Sequence, residues 1–575
     1  MRKNILYLLA LVFAQMGIVL AQDRPKYIFF MIGDGMGLNQ VHITEAYQAA
    51  MAGRNTAFPL TFTQFPYATF ATSYSLSHPV TDSAAGGTAL AVGYKTKNGV
   101  VGMDSTATIP YKSIAYYAKE AGMKVGITTS VTIDHATPAS FYAHQAHRSM
   151  GYEIGLDLIR SDFDFFGGSG FSKITENSKK EKVESLLTRL ERAGYTLAYG
   201  QEAYEKAKVG NDKIILMNDK GGPEQALTFA IDRKPDELTL AQITAAAVES
   251  LTKDNENGFF LMVEGGEIDW ACHGNDGATA IQETLDFDAA VKVAFEFYKK
   301  HPRETLIVVT ADHETGGMAM TSNGQSLLSL RNIAHQKISQ NALSERISAL
   351  RKNNPKASWE IVKRLLSDNL GLWTAVKVSE ADEREIREAY TRNFVENKNE
   401  TEKNLYSTDS KIAALAVRAL NKAAGIGWST SGHSAAYIPV YAIGPGAHLF
   451  SHKMENIDIP RKVAQAAGWY MHLLAAEEFR KNIQTLDEPL LLDVRTAQEY
   501  NEGHLENALN IAWDEEDFRY HADKLDRTRP VLVYCQGGVR SAAATKALAQ
   551  AGFRNVYELD GGIAEWQKAQ LPVTK

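Results

Sequence analysis

Short runs of nearly continuous apolar residues recur along this chain, each stopped by a polar or glycine-rich turn. They are KYIFFMIGDGMG, MKVGITTS around Val125, NGFFLMVEGG around Phe259, TLIVVTADH around Val308 and YIPVYAIGPG around Val440. Runs of this kind, without strict alternation, are what strands covered on both faces require. Helical patterns lie between them, for example over 114–121 and 283–299. Strands and helices taken in turn predict an α/β fold, a mostly parallel sheet sandwiched by helices. From about 326 to 424 the pattern changes to charged, helix-favouring sequence with helical apolar spacing, as at Leu365, Leu366 and Leu370, which predicts a helical insertion between two strands. A polar stretch near 476–488 then gives way to PLLLDVR, PVLVYCQGGVRS, a helical pattern and NVYELDGGIAEW. That restart predicts a second, small α/β domain over 477–575, behind a larger one over 22–475.

The N-terminus does not belong to this pattern. Arg2 and Lys3 precede an apolar run over 5–20, and Val19 and Ala21 are small residues ahead of a cut at Gln22. The run is short for a membrane span and carries no basic stop signal, so residues 1–21 read as a cleaved signal peptide. A periplasmic or secreted protein with no membrane span after cleavage is the expectation. The whole chain has 575 residues, 45% hydrophobic and 22% charged, with a formal net charge of -7. Nothing in that balance favours a polyanion, so nucleic acid binding is not expected. Only two cysteines occur, Cys272 and Cys535, one in each expected domain, which makes a structural disulfide a poor expectation.

The chemistry-bearing residues cluster where strands end. In an open α/β sheet, ligands bind outside the carboxyl ends of the strands. Asp34 follows the first run; Glu264 follows the Phe259 run with Asp269 and His273 beyond it; Asp312 and His313 follow the Val308 run; His433 precedes the Val440 run. Mixed carboxylate and imidazole donors suit zinc, with a harder oxygen corner for magnesium. Asp269 and His273 are four apart, so on a helix they face one way. Any one of these residues could be a turn cap or a satisfied core group; their joint occurrence carries the argument. In TDSAAGGTALAVG, Asp82 is a helix N-cap and Ser83 opens the helix, where free N–H groups favour a phosphate. A serine hydroxyl needs a metal or base to become a nucleophile.

Together DGMG at 34–37, TDSAAGGTA at 81–89, HATPASFYAHQAHR at 135–148, VEGGEIDWACHG at 263–274, TADHETGG at 310–317 and GHSAAYIPVYAIGPGAHLF at 432–450 resemble the alkaline phosphatases in order and spacing. The resemblance runs from about Lys26 to Trp469 and covers the insertion poorly. It implies hydrolysis of small phosphate monoesters with two Zn2+ and one Mg2+. Asp269, His273 and His433 would hold the first zinc. Asp34, Asp312, His313 and the Ser83 hydroxyl would hold the second. Asp34, Thr137 and Glu264 would hold magnesium, with His135 in the same corner. Ser83 would form a phosphoserine intermediate, Arg148 would grip the phosphate and Asp82 would position Arg148. Two zincs roughly 4 Å apart would clamp the attacking and leaving oxygens, and metal-hydroxide chemistry gives an alkaline optimum. Two positions depart from the enteric bacterial pattern: His135 stands for Asp, which should weaken magnesium retention, and Trp270 stands for Lys, which should loosen product binding. Family members are often dimers, but no interface signal shows here, and a homodimer stays open.

LLDVRTAQEYNEGHLENALNI at 491–511, YCQGGVRS at 534–541 and LDGGIAEW at 559–566 resemble single-domain rhodaneses. Cys535 ends an apolar run and opens a glycine-containing loop whose N–H groups can cradle an anion and lower the thiol's pKa. Four residues separate it from Arg540, a shorter loop than in protein tyrosine phosphatases, which suits a persulfide sulfur. Sulfur transfer on Cys535 is therefore the reading, with a binding module that kept the fold as its rival. Asp493 and Arg495 would brace that fold, and Cys272 is a packing residue. For the whole chain two alternatives stay open: a phosphodiesterase or sulfatase of the same superfamily, or a sulfurtransferase with a degenerate phosphatase-like module. The TDSAAGG context argues against a sulfatase, and the full ligand set argues against degeneracy.

Overall fold

The computed structural model describes residues 24–575 except 55, 109, 211, 219–225, 322–326, 470–472, 487, 552 and 554–555. The signal peptide read over 1–21 lies outside the described residues. The chain divides into two compact units, one up to Ala467 and one from Gly468 to Lys575. No described helix is long and apolar enough to cross a membrane.

The larger unit is built on a ten-stranded sheet. Its strands are β1 (Tyr27–Gly33), β2 (Tyr67–Thr72), β3 (Lys124–Thr129), β4 (Phe165–Gly168), β5 (Thr196–Tyr199), β6 (Ile214–Met217), β7 (Phe259–Gly265), β8 (Thr305–Thr310), β9 (Ile438–Ile443) and β10 (Met454–Glu455), in spatial order β10-β2-β9-β8-β1-β7-β3-β4-β6-β5. Every residue of β1, β7 and β8 is buried, as their unbroken apolar runs require of strands with helices on both faces. The sheet is parallel except at β9, which runs antiparallel to both of its neighbours.

Register decides where the site forms. Ile32 of β1 lies opposite Glu264 of β7 and Thr310 of β8, so three central strands end level with one another. Asp34, Glu264 and Asp312 thus emerge at one edge. The reversal of β9 brings its beginning, not its end, to the same edge, with Val440 opposite Thr310. That is why His433, which precedes its strand, can join residues that follow theirs.

The four helices that matter to the site are α1 (Ser83–Val92), α2 (Ala136–Ala139), α3 (Glu267–His273) and α4 (Gly277–Lys300). The segment expected to be a helical insertion contains helices Gln340–Asn353, Trp359–Leu370, Glu380–Tyr390 and Lys411–Ala424. They share a core of Leu343, Ile347, Val362, Leu366, Leu370 and Leu420 with Ile43, Tyr47 and Ile281 of the main body. The helical pattern missed one element: Thr401–Lys403 and Thr408–Ser410 form an antiparallel hairpin. Its strands, TEK and TDS, are too short and polar to show a period-two signal.

The second unit holds a parallel five-stranded sheet: β11 (Leu473–Leu474), β12 (Leu490–Asp493), β13 (Leu509–Asn510), β14 (Val531–Tyr534) and β15 (Val556–Leu559), ordered β11-β15-β14-β12-β13. Its first strand lies ahead of residue 477, where the composition places the start of the domain.

Candidate metal centre and nucleophile

The site begins with how closely α1 can approach the strand ends. Asp82 caps the helix, its Oδ1 accepting from Ala85 N at 3.0 Å, and its other oxygen accepts from Gly99 N at 3.0 Å. Ser83 is the first helical residue and is fully buried. A β-carbon on Gly86 would stand 2.9 Å from the Asp312 carbonyl oxygen, and one on Gly87 would stand 3.0 Å from Thr137 Cα. The paired glycines of the motif therefore let the start of α1 press against the Asp312 backbone and α2. The result is a contact of 3.2 Å between Ser83 Oγ and His313 Nε2.

Three groups of donor atoms gather there: Asp269 with His273 and His433; Asp34 with His135 and Glu264; and Asp34 with Asp269 and His313. His313 Nε2 is 3.3 Å from both Asp34 Oδ1 and Asp312 Oδ2. Thr137 Oγ1, on α2, is 3.3 Å from Asp34 Oδ2 and 3.2 Å from Asp312 Oδ2. His135, just before α2, places Nδ1 3.6 Å from Glu264 Oε1 and 4.0 Å from Asp34 Oδ2. On α3, Asp269 Oδ1 lies 3.4 Å from His273 Nε2 and 3.6 Å from His433 Nε2. All nine residues expected at the metals and the Ser83 hydroxyl thus converge on one place, with Asp34 shared between groups.

The arrangement fits cations. Asp34, Glu264, Asp269 and Asp312 are fully buried carboxylates. Among the described residues, Asp34 Oδ1, Glu264 Oε1, Asp269 Oδ2 and His135 Nδ1 are buried without a hydrogen-bond partner, which is costly for polar atoms unless something else satisfies them. The histidine tautomers point the same way. His273 Nδ1 is 2.6 Å from the Ser431 carbonyl and His433 Nδ1 is 2.9 Å from the Thr81 carbonyl. A carbonyl only accepts, so both Nδ1 atoms carry protons and, in the neutral rings, both Nε2 atoms are bare. Those two lone pairs face each other at 3.1 Å, an arrangement that a shared cation resolves.

Without such charge, ionisation is strongly perturbed. Burial first, then Asp312, Asp269 and Glu264, push Asp34 well above the carboxylate range, against the pull of Arg148. Burial, then Asp269 and Glu264, take Asp312 up to about 8. Burial would raise Asp269 too, but His273, His433 and His313 around it win and hold it low. Burial, then His433, drives His313 well below its ordinary value. Burial also pushes the Cys272 thiol up, and its sulfur meets only the Gln40 amide at 3.8 Å among the bonds of the described residues, consistent with packing.

Arg148 borders these groups. Its Nη1 donates to Asp82 Oδ2 at 3.4 Å and its Nη2 stands 3.0 Å from His135 Nε2. The sequence pattern did not single out three further residues here. Thr315 Oγ1 donates to Asp269 and lies 3.3 Å from His313 Nδ1, orienting both. Thr129 donates to Glu264. Tyr406 stacks on Trp270. Thr315 had a faint signal, standing in one motif with Asp312 and His313; Thr129, at the end of the run around Val125, and Tyr406, in the insertion, had none.

In the second unit Cys535 follows β14. Its Sγ accepts from Gly538 N at 3.1 Å and from Ser541 Oγ at 3.3 Å. Burial alone would raise this thiol, but those donors, with the Gly537 amide, bring it below its ordinary value. Arg540 is held by Glu499 through two bonds of 2.7 and 2.6 Å. Arg495 pairs with Asp493 at 2.6 Å and with the Gly503 carbonyl at 2.7 Å, bracing the loop after β12.

Comparison with known proteins agrees with this geometry. Residues 25–164 and 165–469 match the family described as alkaline phosphatase, and residues 475–569 match the rhodanese-like domain. Alkaline phosphatase 3 of Bacillus subtilis is 32% identical over 456 residues, covering 77% of this chain and 89% of that protein. Alkaline phosphatase 4 of the same organism is 30% identical over 452 residues, covering 76% and 88%. Among solved structures, the cold-active alkaline phosphatase of a Shewanella species is 27% identical with a TM-score of 0.62, covering 77% of this chain and 99% of that one. A TAB5 alkaline phosphatase carrying a histidine-to-aspartate substitution, described with magnesium bound in its M3 site, is 27% identical with a TM-score of 0.54, covering 78% and 99%.

Proposed function

The chain belongs to the alkaline phosphatase family, and from that premise we propose that its larger unit hydrolyses phosphate monoesters through a phosphoserine on Ser83. The observation that carries this reading is the 3.2 Å contact of Ser83 Oγ with His313 Nε2 at a helix start, beside three groups of cation-seeking donors. Asp269, His273 and His433 would hold one zinc; Asp34, Asp312 and His313 a second; and Asp34, Thr137 and Glu264 a magnesium. When bound, these ions supply positive charge at the attacking and leaving oxygens and lower the pKa of a coordinated hydroxyl.

The protein's own groups do the rest. The first turn of α1 offers free N–H groups and the positive end of the helix dipole to a phosphoryl oxygen. Arg148 offers a planar fork to two more, and Asp82 holds one arm of that fork. Thr315 and the Ser431 and Thr81 carbonyls hold Asp269, His313, His273 and His433 in one orientation. In-line attack by Ser83 Oγ forms the phosphoserine and releases the alcohol; attack by water then frees phosphate. Export to the periplasm or medium is part of the proposal. Turnover of p-nitrophenyl phosphate across a range of pH tests it: activity should vanish on chelation and return with zinc and magnesium together. Equal or faster turnover of diesters or sulfate esters would overturn it.

His135 gives a narrower expectation. An imidazole in the magnesium corner is a softer, neutral donor where a hard dication favours carboxylate oxygen. His135→Asp should lower the magnesium concentration for half-maximal activation by about tenfold. The TAB5 relative with magnesium in its M3 site carries the same type of substitution. An unchanged magnesium titration would remove His135 from that corner.

We propose further that Cys535 carries a sulfane sulfur. Its amide and hydroxyl donors stabilise a thiolate, and the cradle suits a terminal persulfide. With thiosulfate, the thiolate would take the outer sulfur, release sulfite and become Cys535–S–S⁻. Mass spectrometry should show one added sulfur that cyanide removes as thiocyanate, and Cys535→Ala should show neither. A wild-type mass unchanged by thiosulfate would leave only the binding-module reading.

A further inference from the structure

The hairpin of Thr401–Lys403 and Thr408–Ser410 belongs to the insertion, yet its turn returns to the metal centre. Asn404 builds that turn: its Oδ1 accepts from the Tyr406 and Ser407 amides at 2.9 and 2.7 Å, and its Nδ2 donates to Ser407 Oγ at 2.6 Å. Ser407 Oγ donates onward to the buried Asp409 at 2.7 Å, which also accepts from Gln340 Nε2 at 3.0 Å. A turn fixed from beneath in this way presents one side chain in one place, and that side chain is Tyr406.

The Tyr406 ring stacks on the Trp270 indole with centroids 4.4 Å apart and planes within 15°. It meets the His273 ring edge-on at 5.3 Å. Its hydroxyl lies 3.5 Å from His135 Nε2, the same nitrogen that stands 3.0 Å from Arg148 Nη2. The hydroxyl and the guanidinium therefore share a neighbour, and the two side chains also hydrogen-bond with each other.

We propose that Tyr406 is a positioning residue for Arg148, and that Trp270 is the platform that places it. The inference rests on the phosphomonoesterase reading above. A guanidinium recognises a phosphoryl group well only when its plane is set, so that two N–H groups meet two oxygens. Asp82 fixes one arm of Arg148. His135 alone would leave the other arm free to swing about that contact, and the Tyr406 hydroxyl limits the swing. The indole at 270, where the enteric pattern has lysine, offers no charge to phosphate and instead fixes the ring that steadies the arginine.

The test uses the zinc- and magnesium-loaded full chain. Tyr406→Phe keeps the ring on Trp270 and removes only the hydroxyl. It should raise KM for p-nitrophenyl phosphate and the calorimetric Kd for inorganic phosphate by about 3- to 10-fold, with kcat moved less. In an Arg148→Ala background the same change should move neither quantity, because the group it acts through is gone. A rise that persisted undiminished without Arg148 would mean that Tyr406 touches phosphate directly or holds the fold, and would overturn the proposal. So would an unchanged KM and Kd in the single variant. A wild-type protein that binds phosphate but turns over no monoester would instead sink the underlying reading.

Discussion

Ser83→Ala should lower p-nitrophenyl phosphate turnover by at least about 10³-fold, with the loss in kcat and little change in phosphate affinity. The substitution removes one oxygen from a fully buried position and keeps the β-carbon. The cap that starts α1 is made by Asp82 and Ala85, so the helix loses no hydrogen bond of its own. His313, Asp34 and Asp312 remain to hold a cation, and Arg148 remains to hold phosphate. What disappears is the atom that would accept the phosphoryl group. Whatever turnover is left must come from direct attack of water on the ester, which lacks the fixed in-line geometry of Ser83 Oγ. Mass spectrometry of acid-quenched wild type should find a phosphoryl group on the peptide holding Ser83. A variant within tenfold of wild type, still holding its metals, would end the covalent reading.

Much of this site was legible because its residues are tied to strand ends. The runs at β1, β7 and β8 are nearly continuous in apolar residues, and the first acidic residue at or after each is a metal-group residue. Once the strands are parallel and in register, such residues must meet. The direction of β9 could not be read, since an apolar run looks the same from either end, so His433 stood out only as a residue that precedes its run, and the topology explains why it joins the others. The glycine pair at 86 and 87 read as helix composition; its reason is the lack of room beside Asp312 and Thr137. Tyr406 lay beyond reach. It sits in a four-residue turn of an insertion that the resemblance barely covers, 136 residues after the Trp270 on which it stacks. Packing across such a distance leaves no local pattern.

Chelation should abolish activity and also lower the melting temperature of the larger unit, by on the order of 10 °C if each site normally contributes as a ligand far above its Kd does. The size of that drop should depend on pH, and its sign follows from the groups involved. In the metal-free protein Asp312 is raised to about 8 and Asp34 is also raised, both chiefly by burial and then by their neighbouring carboxylates. An acid raised on folding leaves the native state holding more protons than the unfolded chain, so stability falls as pH rises toward the folded pKa. His273 is raised above 6.5, mainly by Asp269 against the cost of burial, and its contribution likewise fades as pH rises. His313 is lowered and opposes these, because its unfolded form must shed a proton, but at its ordinary 6.5 only half of that proton is left to shed. Asp269 is held low and is ionised in both states throughout this range. Between about 6.5 and 8 the two raised acids and His273 therefore outweigh what remains of His313, and the metal-free protein weakens as pH rises. Bound cations remove that penalty, since they hold the same carboxylates ionised and the imidazoles neutral. The gap in melting temperature between loaded and chelated protein should widen steadily across that window. A gap that stayed constant, or that narrowed as pH rose, would mean that these buried acids are not what the metals neutralise.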